Sequence, residues 1–290
     1  MKPFKIQKIL TPVDLSENSL LALEHGIFMA KLFKADIILA HVVEQSTFSF
    51  SNSPQAINPQ VENKLRDLAD EVKIKSGGKV EVVIKYGKIS KKIVEAVKEK
   101  NVDLVIMGTH GVSGFEEFFS GSNSFRVVTE SPCPVISVQT HSQKIGFHDI
   151  LLPIDNSAPS REKVSYAVEI AKHYGAKIHL LGILSVEDNA IVAKFNRMFD
   201  QIEDYLKQND LKFTSELVYG DNIASLTMKY GEKINADLIV IMTEQEENLT
   251  GLLLGPFAQQ VVNRSKIPVM SITPKINHEG GAVNFMAGGA

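Results

Sequence analysis

The sequence predicts two α/β domains in tandem, each an open five-stranded parallel sheet with helices on both faces. Three observations predict it. First, the chain repeats itself in order: KILTPVDLSENS at 8–19 returns as DILLPIDNSAPS at 149–160, and KLFKADIILAHVV at 31–43 as KHYGAKIHLLGIL at 172–184. NVDLVIMG at 101–108 likewise returns as NADLIVIM at 235–242, and SPCPVISV at 131–138 as SKIPVMSI at 265–272. Second, each copy alternates short β-branched runs with apolar residues at helical spacing. Third, the links between them are short, which calls for parallel pairing and right-handed crossovers.

Taken in order, Lys8–Val13, Ile37–Val43, Val80–Ile84, Leu104–Met107 and Val135–Val138 are mostly unbroken apolar runs. Such runs read as strands buried on both faces. Leu20, Leu23, Ile27 and Ala30 recur at helical spacing after the first, with Ser16 or Ser19 placed to cap the helix. Ile93, Val94 and Val97 do the same before Asn101. The second copy runs the same course from Ile150 to Ile272. Glu44–Gln60, polar and holding Pro54 and Pro59, reads as a long surface loop. Asn277–Ala290, with four glycines, reads as a flexible tail. The expected domains are therefore 1–141 and 147–276, with 277–290 as tail.

Composition narrows the function classes. A net charge of −3 leaves no electrostatic footprint for nucleic acid or an anionic membrane. The apolar runs are far too short to span a bilayer, and the N-terminus lacks the apolar core of a secretory signal. With Cys133 as the single cysteine, no disulfide forms within the chain. The expected location is the cytoplasm. No His-x3-His pair accompanies that cysteine, so no zinc pattern is present. No nucleophile–base pair is legible either, and catalysis has no support in the spacing.

In an open parallel sheet, ligands bind at the carboxyl ends of the strands, near the point where strand order reverses. The first strand ends in Thr11-Pro12-Val13-Asp14. The fourth ends in Met107-Gly108-Thr109-His110-Gly111 and leads to Gly121-Ser122-Asn123-Ser124 at the start of a helix. Glycines let the backbone approach a ligand closely, and a helix N-terminus points unbonded N–H groups at it, which suits a phosphate. Ser122 and Ser124 add hydroxyl donors. No Walker-type lysine follows, so this is not a P-loop.

The Gly108/Gly111/Gly121-Ser122 spacing resembles the universal stress protein family. So do Pro12-Val13-Asp14, His41-Val42 and the Ser131-Pro132-Cys133-Pro134-Val135 finish. The resemblance runs over Lys8–Val138 and, more weakly, Asp149–Ile272. It implies a Rossmann-like fold of the adenine-nucleotide α-hydrolase type. It further implies that Pro12, Val13, Asp14 and Val42 border an adenosine. Met107, Gly108, Gly111, Gly121, Ser122, Asn123 and Ser124 would then hold ribose and phosphates. ATP, ADP and AMP would share that pocket, with any Mg²⁺ entering through the phosphates. Single-domain members commonly pair through their last strand, so the two copies here are expected to form an internal pseudo-dimer, with homodimers through helices still open.

The second copy departs from the pattern. Gly108 becomes Met242, Gly111 becomes Gln245, and Ser122 becomes Pro256, while Gly121 survives as Gly255. Proline removes a donor where a phosphate would need one, and Glu244, Glu246 and Glu247 oppose a polyanion. Copy two is expected to be empty of ATP. Asp14 reads equally as a ribose or metal neighbour and as the cap of its own turn. His110 reads as a solvated or ribose-side residue, His41 as a packing residue and Cys133 as structural. The expected function is a nucleotide-dependent stress-response sensor or regulator with an unidentified protein partner. An interaction scaffold without nucleotide is the alternative, and an ATP-using enzyme a more distant one, since no Ser-Gly-Gly loop follows either first strand.

Overall fold

The computed structural model describes residues 4–44, 57–109, 123–139, 144–157, 159–185, 188–243, 245–248 and 251–274. In the first copy, strand β1 (Lys8–Pro12) leads to helix α1 (Glu17–Phe33) and strand β2 (Asp36–Val43). Helix α2 (Pro59–Ser76), strand β3 (Val80–Tyr86) and helix α3 (Ile89–Lys100) follow. Strand β4 (Leu104–Thr109), helix α4 (Asn123–Glu130) and strand β5 (Val135–Gln139) complete it. The second copy comprises β6 (Asp149–Ile154), α5 (Lys163–Tyr174), β7 (Lys177–Leu184), α6 (Asn189–Gln208) and β8 (Phe213–Tyr219). It ends with α7 (Ile223–Lys233), β9 (Leu238–Met242), the strand pair β10 (Gln245–Asn248) and β11 (Gly251–Leu254), α8 (Pro256–Arg264) and β12 (Val269–Ile272).

Each copy forms the five parallel strands that the alternating pattern predicts, and they lie in the order third, second, first, fourth, fifth. The two sets then join. β5 and β12 pair antiparallel, with Val269 opposite Ser137 and Ser271 opposite Val135. The result is one ten-stranded sheet in the order β3-β2-β1-β4-β5-β12-β9-β6-β7-β8. Each of the two central edges satisfies the other's backbone groups, which removes two templates for unwanted pairing.

The core lies in two layers, one on each face of this sheet, and each layer crosses from one copy into the other. Leu23 and Ile27 of α1 share a layer with Leu65 of α2, Val164 and Ala167 of α5 and Phe195 of α6. Val94 and Val97 of α3, Phe125 of α4, Ala224 of α7 and Val261 of α8 lie in the other. Ring contacts reinforce the first layer at the junction. His25 stacks on Phe147 with 5.5 Å between ring centroids, and Phe4 meets Tyr166 at 4.6 Å.

The repeat extends to side-chain devices that fix loops to strands. Asp103 accepts from the amides of Gln7 and Lys8 at 2.8 and 2.9 Å, and Asp237 does the same for His148 and Asp149. Ser131 donates to the Cys133 carbonyl, as Ser265 does to that of Ile267. The half-buried Cys133 thus belongs to a turn that copy two builds without sulfur. Ser16, rather than Ser19, caps α1 by accepting from the Ser19 amide. The expected surface loop after β2 ends earlier than the sequence suggests. Asn58 caps α2 and Pro59 opens it, a position where a missing N–H costs nothing. Residues 45–56, the rest of that loop, lie outside the described residues, as does the expected tail.

Candidate functional site

The site grows from a parting of strands. β1 pairs with β2 along its whole length, from Lys8 to Pro12, yet with β4 only at Ile9–Leu104 and Leu10–Val105. Chain order reverses between β1 and β4, so the gap opens at the topological switch point where open α/β sheets take ligands. The same short ladder recurs between β6 and β9 in copy two.

The loop after β1 forms one wall. Asp14 Oδ1 accepts from the Ser16 amide at 2.9 Å and the Ser16 hydroxyl at 2.5 Å, while the Asp14 amide donates to Ser19 Oγ at 3.3 Å. Partial burial works to raise the Asp14 pKa, but these Ser16 and Ser19 bonds more than offset it and hold the carboxyl below its ordinary value. Of the two roles read from the sequence, capping of its own turn is therefore present in the geometry. Leu15 next to it takes a positive φ of 67°, a conformation the Asp14–Ser16 bonds hold in place. Buried Val13 bonds back to the Ala40 carbonyl, and its own carbonyl accepts from His41 Nδ1 at 2.7 Å. His41 thus ties β2 to the loop. Half-buried Val42 follows it near the end of β2.

The other wall is the end of β4. Met107 is buried, and Gly108 follows it. A Cβ on Gly108 would lie 2.4 Å from the Asn18 carbonyl oxygen and 3.1 Å from the Ser19 amide. The first turn of α1 therefore rests directly on the strand, and this glycine is demanded by packing within the protein. Asn123 and Ser124 occupy the first turn of α4, both partly exposed. Pro12, Val13, Asp14, Val42, Met107, Gly108, Asn123 and Ser124 thus all sit on elements that end or begin at the crevice. Gly111, Gly121, Ser122 and His110 lie outside the described residues. Among the described residues no cluster of three His, Cys, Asp or Glu side chains suits a metal ion.

Copy two builds the same turn after its first strand. Ser157 donates to Asp155 Oδ1 from both amide and hydroxyl, at 2.9 and 2.6 Å, and the Asp155 amide donates to Ser160 Oγ. Beyond that the copies diverge. Lys163, 3% exposed, stands where copy one has Ala22, and its ammonium donates to Ser160 Oγ at 2.9 Å. Burial works to raise the Asp155 pKa; the Lys163 charge, then Ser157 and Ser160, outweigh it and keep the carboxylate ionised. Sequence reasoning missed this pair, although aligning the copies puts a lysine on Ala22 in an apolar helix face. Buried Met242 replaces Gly108, and here a 3₁₀ turn, Pro159–Arg161, precedes a helix that starts at Lys163. Where the sequence of copy one has Gly111, Gly121 and Ser122, outside the described residues, copy two carries the antiparallel hairpin β10–β11, also unforeseen. Pro256 is the first residue of α8, capped by Gly255, so that helix begins with one donor fewer.

Fold and crevice together define a tandem Rossmann-like α/β protein with a gap between strands at each switch point. The sequence profile of the universal stress protein family matches residues 5–139 and again residues 146–272, and the chain belongs to that family. A universal stress protein of Methanocaldococcus jannaschii is 32% identical over 139 residues, covering 46% of this chain and 82% of that one. A universal stress protein of Mycolicibacterium smegmatis is 23% identical over 301 residues, covering 92% of this chain and 97% of that one. The crystal structure of a universal stress protein from Archaeoglobus fulgidus shares the fold with a TM-score of 0.75 at 21% identity, over 94% of this chain and 98% of that one. No helix among the described residues is long and apolar enough to cross a membrane.

Proposed function

We propose that this chain is a cytoplasmic, nucleotide-dependent stress-response regulator that holds one ATP, in its first copy. The observation that carries the reading is the difference between two crevices of the same origin. In copy one, β4 runs through Gly108, the sequence that follows holds Gly111, Gly121 and Ser122, and α4 starts with Asn123 and Ser124. In copy two the same stretch is a β-hairpin followed by a proline-headed helix. Only the first offers backbone donors and hydroxyls without a proline between them.

In this reading Pro12, Val13 and Val42 supply the apolar border of the adenosine. Asp14, already bonded through one carboxylate oxygen, faces the ribose. Met107, Gly108, Gly111, Gly121, Ser122, Asn123 and Ser124 hold the sugar and phosphates, and any Mg²⁺ arrives with the nucleotide. The family itself supports adenine nucleotide as the ligand. Isothermal calorimetry on nucleotide-stripped full-length protein tests it: ATP is expected to bind with a stoichiometry of one per chain. Two equivalent sites, or uptake that survives Gly121→Val unchanged, would sink the assignment.

A further inference from the structure

Copy two holds a cavity of about 400 Å³ between the turn after β6 and one face of α6. Its size is that of a small-molecule site. Arg161, Lys194 and Arg197 line it together with Ile191, Phe195 and Met198. No aspartate or glutamate is among the described lining residues, which is unusual in a chain of net charge −3. Asp155, which precedes the lining residue Asn156, is bonded to Ser157 and compensated by Lys163. Neither Lys194 nor Arg197 makes an ion pair with a described residue.

The apolar floor has a traceable origin. Phe195 is 2% exposed and stacks on Phe199 at 5.6 Å. A Cβ on Gly182 would lie 3.1 Å from the Phe195 ring and 3.0 Å from that of Phe199. Glycine at 182, where copy one has His41, therefore lets the rings sink onto β7 and leaves space above them. Spacing on α6 completes the design: Ile191, Lys194, Phe195 and Met198 fall on one helical face. The basic residue on the other wall is particular to this copy, since Arg161 corresponds to Leu20 in copy one. Asn156 and Ser157, the counterparts of Leu15 and Ser16, reach this cavity, but Pro153, Asp155, Ile183 and Met242, which match Pro12, Asp14, Val42 and Gly108, do not line it.

We propose that this cavity is a second ligand site, which takes a small phosphomonoester bearing an aromatic or apolar group. The Arg197 fork binds a phosphate in a bidentate manner and Lys194 adds a point charge, while the rings receive the uncharged part. The site is separate from the first-copy nucleotide and stands or falls without it.

The test uses full-length protein and 1-naphthyl phosphate in calorimetry, with and without saturating ATP. One site is expected, unchanged by ATP, weakened as salt rises, and scarcely filled by uncharged 1-naphthol. Lys194→Gln and Arg197→Gln, both on exposed positions of α6, should each weaken it about tenfold, the loss of one charge-assisted contact. Ile191→Glu, which places an acid at the rim, should abolish it while the circular dichroism spectrum holds. No uptake by the wild type, equal uptake by the charge variants, equal binding of naphthol, or displacement by ATP would each overturn the proposal.

Discussion

At the scale of single residues, Gly108 and Met242 show how one side chain sets the course of a neighbouring helix. Gly108 was legible as a glycine that lets backbone come close. The approaching backbone, however, is the chain's own Asn18–Ser19 turn. This separates two explanations of the residue. If Gly108 served a ligand alone, Gly108→Ala would leave the ligand-free protein as stable as before. With the Asn18 carbonyl 2.4 Å from the new Cβ, the substitution must push α1 off β4. Urea unfolding of the nucleotide-stripped variant is expected to show a loss of about 2 kcal/mol, as overpacked cores do. An unchanged midpoint would return the glycine to the ligand. Spacing could not reveal this, because close approach to a helix and close approach to a phosphate leave the same glycine in a sequence.

At the scale of elements, most of the fold was legible because buried parallel strands write themselves as continuous apolar runs. The regularity of β1, β2 and β4 against α1 and α3 left little room for another topology. What stayed hidden has a local cause in each case. The β10–β11 hairpin carries Gln245-Glu246-Glu247-Asn248 on one strand, a polar run with no alternation to betray it. α2 was masked by the proline-bearing stretch before it, since Pro59 reads as loop until its place at the head of a helix is known. The candidate site was legible at Pro12–Asp14, Val42 and Met107–Gly108. The second-copy cavity was not, because Arg161 and Arg197 lie far apart in sequence and only the packing of Phe195 brings their elements together. The pairing of β5 with β12 carries a prediction of its own. Ser137 stands directly opposite Val269, and facing Cβ atoms in such a pair lie roughly 4.5–5.5 Å apart. Ser137→Cys with Val269→Cys, in a Cys133→Ser background, is expected to crosslink within one chain at low protein concentration. Dimers linked between chains as the main product would place the two strands in different molecules.

At the scale of the whole molecule, two core layers cross the junction, so the copies should lose structure together. His25 is placed to report on this. It is 1% exposed, stacked on Phe147 of the other copy, with no hydrogen-bond partner on either ring nitrogen among the described residues. Burial lowers its pKa from 6.5 to about 4. Between those values the unfolded chain binds the proton and the folded chain does not, so stability is complete above pH 6.5 and falls as pH drops toward 4. The contribution is on the order of 3 kcal/mol. His25→Leu should flatten this part of a stability-versus-pH curve measured by denaturant unfolding; an identical slope would assign the acid sensitivity elsewhere. The antiparallel meeting of β5 and β12 has one more effect. Every strand of copy one points its carboxyl end one way, and every strand of copy two the other. The first-copy crevice and the second-copy cavity consequently open on opposite rims of a single slab. A macromolecule seated over one rim would therefore leave the other facing solvent.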